Sequence, residues 1–234
     1  MRGDSPRVEL NALEFALMNN AVRAASQRWI ETPLMVGRRG SLSDQRVLEI
    51  GCGRGVGLEI LLGLGAAEVM GLDIDPRMIR LAQERLAGKG DRARSEIGDA
   101  EAIQAPDASF DSVFDFGILH HVPGWPKALG EIARVLKPGG IFYFEDILHG
   151  LTTGWPARIV FDHPQASQFS GDEFRLGLEE AGLKVVAWRQ WDEWAVMGRA
   201  RRTLLEETRA RQMDVKGDPA PTVPPSTRPV STGQ

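Results

Sequence analysis

One cysteine, Cys52, is all the thiol that this 234-residue chain contains. An internal disulfide is therefore excluded, and thiol-based metal or redox chemistry has almost no material to work with. No apolar run approaches the roughly eighteen residues of a membrane span. The opening Met1-Arg2-Gly3-Asp4-Ser5-Pro6 lacks the apolar core of a secretion signal. Basic residues are not gathered into a stripe that could track a nucleic acid backbone. The net charge is −4, and the cluster Arg199, Arg201 and Arg202 is followed at once by Glu206 and Glu207, which reads as a solvated helix face. These absences point to a cytoplasmic protein with a small-molecule partner, no nucleic acid, no membrane span and no metal site. They leave a monomer and a homodimer equally open. A hydrophobic fraction of 42% and a charged fraction of 26% suit a soluble domain with one sizeable core.

What the chain does have is Val47-Leu48-Glu49-Ile50-Gly51-Cys52-Gly53-Arg54-Gly55-Val56-Gly57, with Asp73 following in Gly71-Leu72-Asp73-Ile74-Asp75. A short apolar run reads as a buried strand, and it stops at a glycine cluster that leads into a helix. Glycine there admits backbone conformations closed to other residues and has no Cβ to hold a ligand off the main chain. A carboxylate at the end of the next strand suits the two hydroxyls of a ribose. The pair of features points to an adenosine-type cofactor. A dinucleotide fingerprint would need a small residue where Val56 stands. Glu49, two residues before the first glycine, would repel a pyrophosphate, whereas it suits an ammonium or a sulfonium.

Strands are expected at Val47–Ile50, Glu68–Leu72, Ala93–Ile97, Phe110–Phe116 and Ile141–Ile147, alternating with helices at Leu58–Leu64, Pro76–Leu86 and Lys127–Leu136. This is the order of an α/β, Rossmann-like, doubly wound and mostly parallel sheet. Ser170 and Glu173 form a capping box opening a helix to Ala181. Leu183–Trp191 and Trp194–Arg199 follow as two tightly joined strands, which brings the sheet to seven with a final antiparallel strand. A last helix is expected over Thr203–Met213. Residues 1–45 read as an N-terminal helical cap, with amphipathic spacing over 8–30 that forms a lid. Residues 46–213 are the main domain, and 214–234 form a Pro-rich, disordered tail.

By Leu136 the order of motifs resembles the class I S-adenosylmethionine-dependent methyltransferases, particularly the small-molecule branch with the ubiquinone and menaquinone biosynthesis enzymes. The resemblance is carried by Val47–Gly57, Gly71-Leu72-Asp73, Gly98-Asp99-Ala100-Glu101, Ser109-Phe110-Asp111, Leu119-His120-His121-Val122 and Leu136-Lys137-Pro138-Gly139-Gly140. It implies S-adenosylmethionine as cofactor and transfer of its methyl group to a small-molecule O, N or C nucleophile. On that reading Gly51, Gly53 and Gly55 let the backbone approach the methionine portion, and Glu49 orients its ammonium. Asp73 takes the ribose hydroxyls and Ile74 covers one face of adenine. Asp99 accepts the adenine amino group, and the Ala100 amide points at a ring nitrogen. Phe116 and Gly117 flank the sulfonium through their main chain. Arg54 stands where many relatives carry Ser or Thr. It is either a surface arginine or a partner for the cofactor carboxylate.

Catalytic candidates follow the fourth and fifth strands: His120 and His121 as a general base or as packing residues, and Glu145 and Asp146 as cavity or capping groups. Asp75, just before Pro76, reads as a helix N-cap rather than a second ribose contact. His149 and His163 fall in a weakly patterned segment. Trp155, Trp188, Trp191 and Trp194 read as core, with Trp155 an alternative pocket wall, and Cys52 as packing under the turn. Leu119-His120-His121 is unlike the Asn-Pro-Pro-Tyr type that grips a planar amine, which argues against nucleobase methylation. The rival function is a module or cyclase that binds the cofactor without methyl transfer.

Overall fold

The computed structural model describes residues 20–37, 40–149 and 168–203. Apolar runs too short for helices but buried on both sides make a single seven-stranded sheet. Its strands are β1 (Arg46–Ile50), β2 (Glu68–Asp73), β3 (Ala93–Ile97), β4 (Phe110–Phe116), β5 (Leu136–Ile147), β6 (Leu183–Trp191) and β7 (Ala195–Arg202), in the order β3-β2-β1-β4-β5-β7-β6. The pairs β1–β2, β1–β4, β2–β3 and β4–β5 are parallel. The final strand β7 runs antiparallel between β5 and β6. The expected fold class therefore holds. Strand order reverses between β1 and β4, and in open parallel sheets the crevice at the carboxyl ends of such a pair is where ligands bind.

The helices are α1 (Ala21–Ser26), α2 (Thr32–Val36), α3 (Val56–Gly63), α4 (Pro76–Leu86), α5 (Trp125–Val135) and α6 (Gly171–Glu180). They cover both faces. Val47, Phe114, Phe116 and Tyr143 pack with Met35, Leu58, Leu61 and Ile79 from α2, α3 and α4. On the other face Ile50, Val113, Phe142 and Phe144 pack with Leu129 and Ile132 of α5 and Phe174 and Leu178 of α6. The helix starts obey local rules. Asp75 caps α4 by accepting the Arg77 N–H at 2.8 Å, ahead of Pro76 in the first turn. Ser170 and Glu173 form the reciprocal capping box of α6.

Several details differ from the sequence reading. Strand β5 begins at Leu136 instead of Ile141, because Leu136 to Ile141 lie beside Phe110 to Ser112 of β4 through a shift in register. Gly139, at φ +81°, supplies the left-handed backbone this bulge needs. The N-terminal helical segment does not stop near residue 30. A π turn over Gln27–Glu31 joins α1 to α2, and Pro33 is tolerated in the first turn of α2. Trp188 packs on the core, but Trp191 and Trp194 are 43% and 59% exposed at the tip of the β6–β7 hairpin, so they are not core residues. Positions 1–19, Trp155, His163, the expected helix beyond Thr203 and the Pro-rich tail lie outside the described residues. Among the described residues no helix is long and apolar enough to cross a membrane.

Candidate active site

The turn after β1 winds through three left-handed glycines: Gly51 at φ +60°, Gly53 at φ +49° and Gly55 at φ +78°, the last being the N-cap of α3. Nothing lies within 4 Å of where a Gly53 side chain would start, so the main chain there is open to a ligand. Asp73 ends β2 beside it. Its Oδ2 accepts the Gly53 N–H at 2.9 Å and its Oδ1 the Asp75 N–H at 2.8 Å. Each carboxylate oxygen keeps a further lone-pair site, and the two amides fix the orientation in which it is offered. Burial pushes the Asp73 carboxyl above its ordinary range, and the two amide bonds oppose that. Cys52 lies under the turn, 4% exposed, with its N–H on Leu72 O at 2.9 Å, as its packing role requires.

Glu49 is 2% exposed on β1. The Leu58 N–H in the first turn of α3 bonds to it, and Oε2 has no partner. A buried carboxylate oxygen without a partner is costly. Burial first, and then the nearby Asp73, push its pKa well above the usual carboxylate range. Gly57 makes the space, because a Cβ at that position would overlap the Glu49 carboxyl. The site thus holds a buried acid with one unpartnered oxygen, and the Arg23 guanidinium only partly offsets its burial.

Arg23 of α1 reaches the ends of β4 and β5. Its guanidinium pairs with Glu31 of the π turn and donates to Glu145 Oε1 at 3.1 Å and to Phe116 O at 3.3 Å. The Arg54 guanidinium donates to Asn20 O at 2.8 Å. This bond ties the glycine turn to the start of α1. Glu145 has its pKa pushed up to about 9 by burial and then by Glu31, with Arg23 opposing. Among the described residues neither Glu145 nor Asp146 is the N-cap of a helix. Gly117, at φ +80°, turns the chain away from β4 next to Glu145.

On the opposite face of the same edge, the His120 ring is 2% exposed and its Nδ1 lies 2.5 Å from Asp146 Oδ1. Burial lowers the His120 pKa to about 4, so the ring is neutral at neutral pH. The His121 ring packs against it, tilted by 41°, with the ring centroids 4.0 Å apart. At the far end of the crevice Ile74 is 59% exposed beside Asp73, an apolar side chain presented where a flat ring would rest. Asp99 is exposed and accepts the Glu101 N–H at 2.8 Å, while Ala100 is buried. Among the described residues no group of three His, Cys, Asp or Glu is arranged to hold a metal ion. His149 lies away from these groups, 3.7 Å from Glu193.

Residues 48–144, from β1 into β5, match the protein family described as a methyltransferase domain. They contain Glu49, the three glycines, Asp73, Asp99 and the histidine pair. Over that stretch the chain is similar to a methyltransferase domain. It is 40% identical over 110 residues to a probable phthiotriol/phenolphthiotriol dimycocerosates methyltransferase of Mycobacterium ulcerans, covering 47% of this chain and 42% of that one. It is 31% identical over 163 residues to the 27-O-demethylrifamycin SV methyltransferase of Amycolatopsis mediterranei, covering 65% and 59%. The matches thus span about half the length of these relatives. A solved S-adenosylmethionine-dependent methyltransferase of Aquifex aeolicus superposes with a TM-score of 0.64 at 21% identity, covering 83% of this chain and 100% of that one, a likeness of fold.

The sheet edge brings together Glu49, Gly51, Gly53, Asp73, Phe116, Gly117 and Glu145 on one side, with His120 and Asp146 close by. Sequence reasoning missed Arg23 and Asp115. Arg23 sits in a helix whose spacing speaks only of its apolar face, and its partner Glu145 is 122 positions away. Asp115 carried a signal that went unused: a charged residue inside an otherwise apolar strand run, Phe110 to Phe116, whose neighbours are buried.

Proposed function

We propose that this chain binds S-adenosylmethionine along the carboxyl edge of β2, β1 and β4 and moves its methyl group to an O, N or C nucleophile of a small molecule. The observation that carries the reading is the buried Glu49 carboxylate, whose Oε2 lacks a partner, next to a left-handed glycine turn and the backbone-held Asp73. That set of groups suits a ligand with a cationic amino acid end and a ribose. When bound, the cofactor supplies a methyl group already activated on a positively charged sulfur.

The residues of the chain then have few tasks. Glu49 holds the ammonium, Gly51 and Gly53 admit the methionine portion to the backbone, and Asp73 takes the ribose hydroxyls. Ile74 covers adenine, and Asp99 with the Ala100 amide reads its edge. Phe116 and Gly117 border the reacting centre, and Arg23 and Arg54 hold α1 across it as a lid that excludes water. Holding the acceptor in line is worth up to roughly 7–11 kcal/mol. Where the acceptor must lose a proton, His120 is the base. Its Nδ1–H is directed at Asp146, which leaves Nε2 as the proton-accepting atom, and His121 supports the ring by packing against it. The domain division, with residues 1–45 as cap and 46–213 as catalytic unit, belongs to the same proposal.

The test is calorimetric titration of the chain with S-adenosylmethionine and with a nicotinamide dinucleotide, followed by mass spectrometry of an acceptor screen. Selective binding of the first, with demethylated cofactor and a product heavier by one methylene, is expected. Binding without demethylated cofactor under any acceptor would favour the binding module or cyclase instead.

A further inference from the structure

Strands β4 and β5 end with two carboxyl groups, Asp115 and Asp146, that are 0% and 3% exposed. Asp115 Oδ1 accepts the Ile118 N–H at 2.9 Å. Asp146 Oδ1 meets the His120 ring at 2.5 Å and accepts the Ile147 N–H at 2.7 Å. The remaining oxygen of each acid, Asp115 Oδ2 and Asp146 Oδ2, has no hydrogen-bond partner, and the register places the two side chains diagonally on the same face of adjacent strands, Asp115 opposite Phe144 and Asp146 two residues further on, where each acts on the other's titration. Two ionised carboxylates do not hold that arrangement in a buried site. One proton between them satisfies both orphan oxygens and leaves a single negative charge.

The surroundings decide which acid keeps the proton. In the sheet Asp115 lies between Ile50 and Phe144, and Asp146 lies opposite Val196, so no neighbouring strand offers a cation at those positions. Glu49 on β1 adds a further like charge near Asp115. On the turn after β4, His120 and His121 are the titratable groups, and the His120 ring and the Leu119 and His120 amides bond only to Asp146. Asp146 thus collects the donors and Asp115 is left to donate.

We propose that Asp115 is a positioning residue: held as the neutral acid, it donates a hydrogen bond to Asp146, keeps Asp146 the anion, and so fixes His120 as the Nδ1–H tautomer. The inference rests on the reading of His120 as base, but its readout does not. Burial and the neighbouring Asp146 push the Asp115 carboxyl well above its ordinary range, which agrees with its keeping the proton.

The experiment is carboxyl and imidazole NMR on the full chain labelled at Asp and His, without any acceptor. In the wild type, one buried carboxyl should stay protonated at neutral pH and His120 should show the Nδ1–H tautomer. Asp115→Asn should abolish the protonated carboxyl signal but preserve the tautomer, since its amide N–H donates where the acid O–H did. Asp115→Leu, which fills the space without a donor, should shift the protonated signal to Asp146 and release the tautomer preference. Finding both acids ionised in the wild type at neutral pH, or an unchanged His120 tautomer in Asp115→Leu, would overturn the proposal. If Asp115→Leu does not fold, the wild-type titration and Asp115→Asn still decide. S-adenosylmethionine titration of the same wild-type sample reports separately on the functional reading: an absence of binding would sink that reading and leave the carboxyl and tautomer signals to be judged on their own.

Discussion

Replacing Glu49 with Gln changes one atom's chemistry and no volume, and it should move stability and cofactor binding in opposite directions. In the cofactor-free protein the Glu49 carboxyl is 2% exposed with Oε2 unpartnered, and Asp73 and Asp115 act on it with the same sign. That environment favours the neutral acid, and an amide of the same shape removes the group that titrates there, so the melting temperature of Glu49→Gln without cofactor should equal or exceed that of the wild type. With cofactor, the same change deletes a charge-assisted hydrogen bond to the ammonium, worth ~1.5–3 kcal/mol. At about 1.4 kcal/mol per decade, the dissociation constant for S-adenosylmethionine should rise roughly 10- to 150-fold. Proton linkage gives a second signature. Because Glu49 titrates well above the usual carboxylate range before binding, an arriving cation should ionise it and expel a proton. Calorimetry in two buffers of different ionisation enthalpy should detect that release in the wild type and lose it in the variant. An affinity unchanged within about twofold, or a melting temperature lowered by several degrees, would refute the assignment of Glu49 to the ammonium.

Other outcomes follow from the same geometry. Gly57→Ala should weaken cofactor binding in the same direction as Glu49→Gln, because its Cβ displaces the Glu49 carboxyl; calorimetry on both variants makes the comparison. Asp73→Ala should cost more cofactor affinity than Asp99→Ala, since Asp73 also orders the glycine turn through the Gly53 N–H, and the reverse ranking would exchange the ribose and adenine ends. Arg23→Ala should raise hydrogen exchange across Ala21–Val36, as it removes charge-assisted bonds to Glu31, Glu145 and Phe116 O worth ~1.5–3 kcal/mol each at most; unchanged exchange would mean the lid is held by packing alone. Glu145 and Asp146 titrate in the folded protein at about 9 and about 7, above their unfolded values. Their contribution is therefore fully present below about pH 4 and is lost as pH rises through those folded values. Thermal scans of the cofactor-free chain should show stability falling from acidic toward alkaline pH across that window, and a rise would contradict the burial of these acids.

The parallel sheet was legible because its inner strands are mostly apolar and end in turn signals, as at Val47–Ile50 before Gly51. The cofactor half of the candidate site was legible for the same reason: Glu49, the glycines and Asp73 lie within one β-α-β unit, so local spacing carries their geometry. What spacing cannot carry is a contact between distant elements. Arg23 meets Glu145 across 122 positions, and Asp115 meets Asp146 across β4 and β5, pairings set by strand order and helix docking. The bulge in β5 was missed because Pro138-Gly139-Gly140 is also a turn signal, and pairing with β4 on both sides overrode it. Trp191 and Trp194 were misread as core because size and apolarity alone do not separate an inner strand from a hairpin tip. The N-terminal segment ran past its expected end because the π turn shifts the apolar phase at Gln27 and helical spacing resumes at Thr32.

The central claim, that the edge of β2, β1 and β4 is a site for S-adenosylmethionine, is tested most directly by a crystal structure of the full chain with the demethylated cofactor. The account predicts the amino group of that ligand within hydrogen-bonding distance of Glu49 Oε2, the ribose hydroxyls on Asp73 and the adenine against Ile74. A ligand seated elsewhere, or a ligand in this crevice with its carboxylate turned toward Glu49, would contradict it.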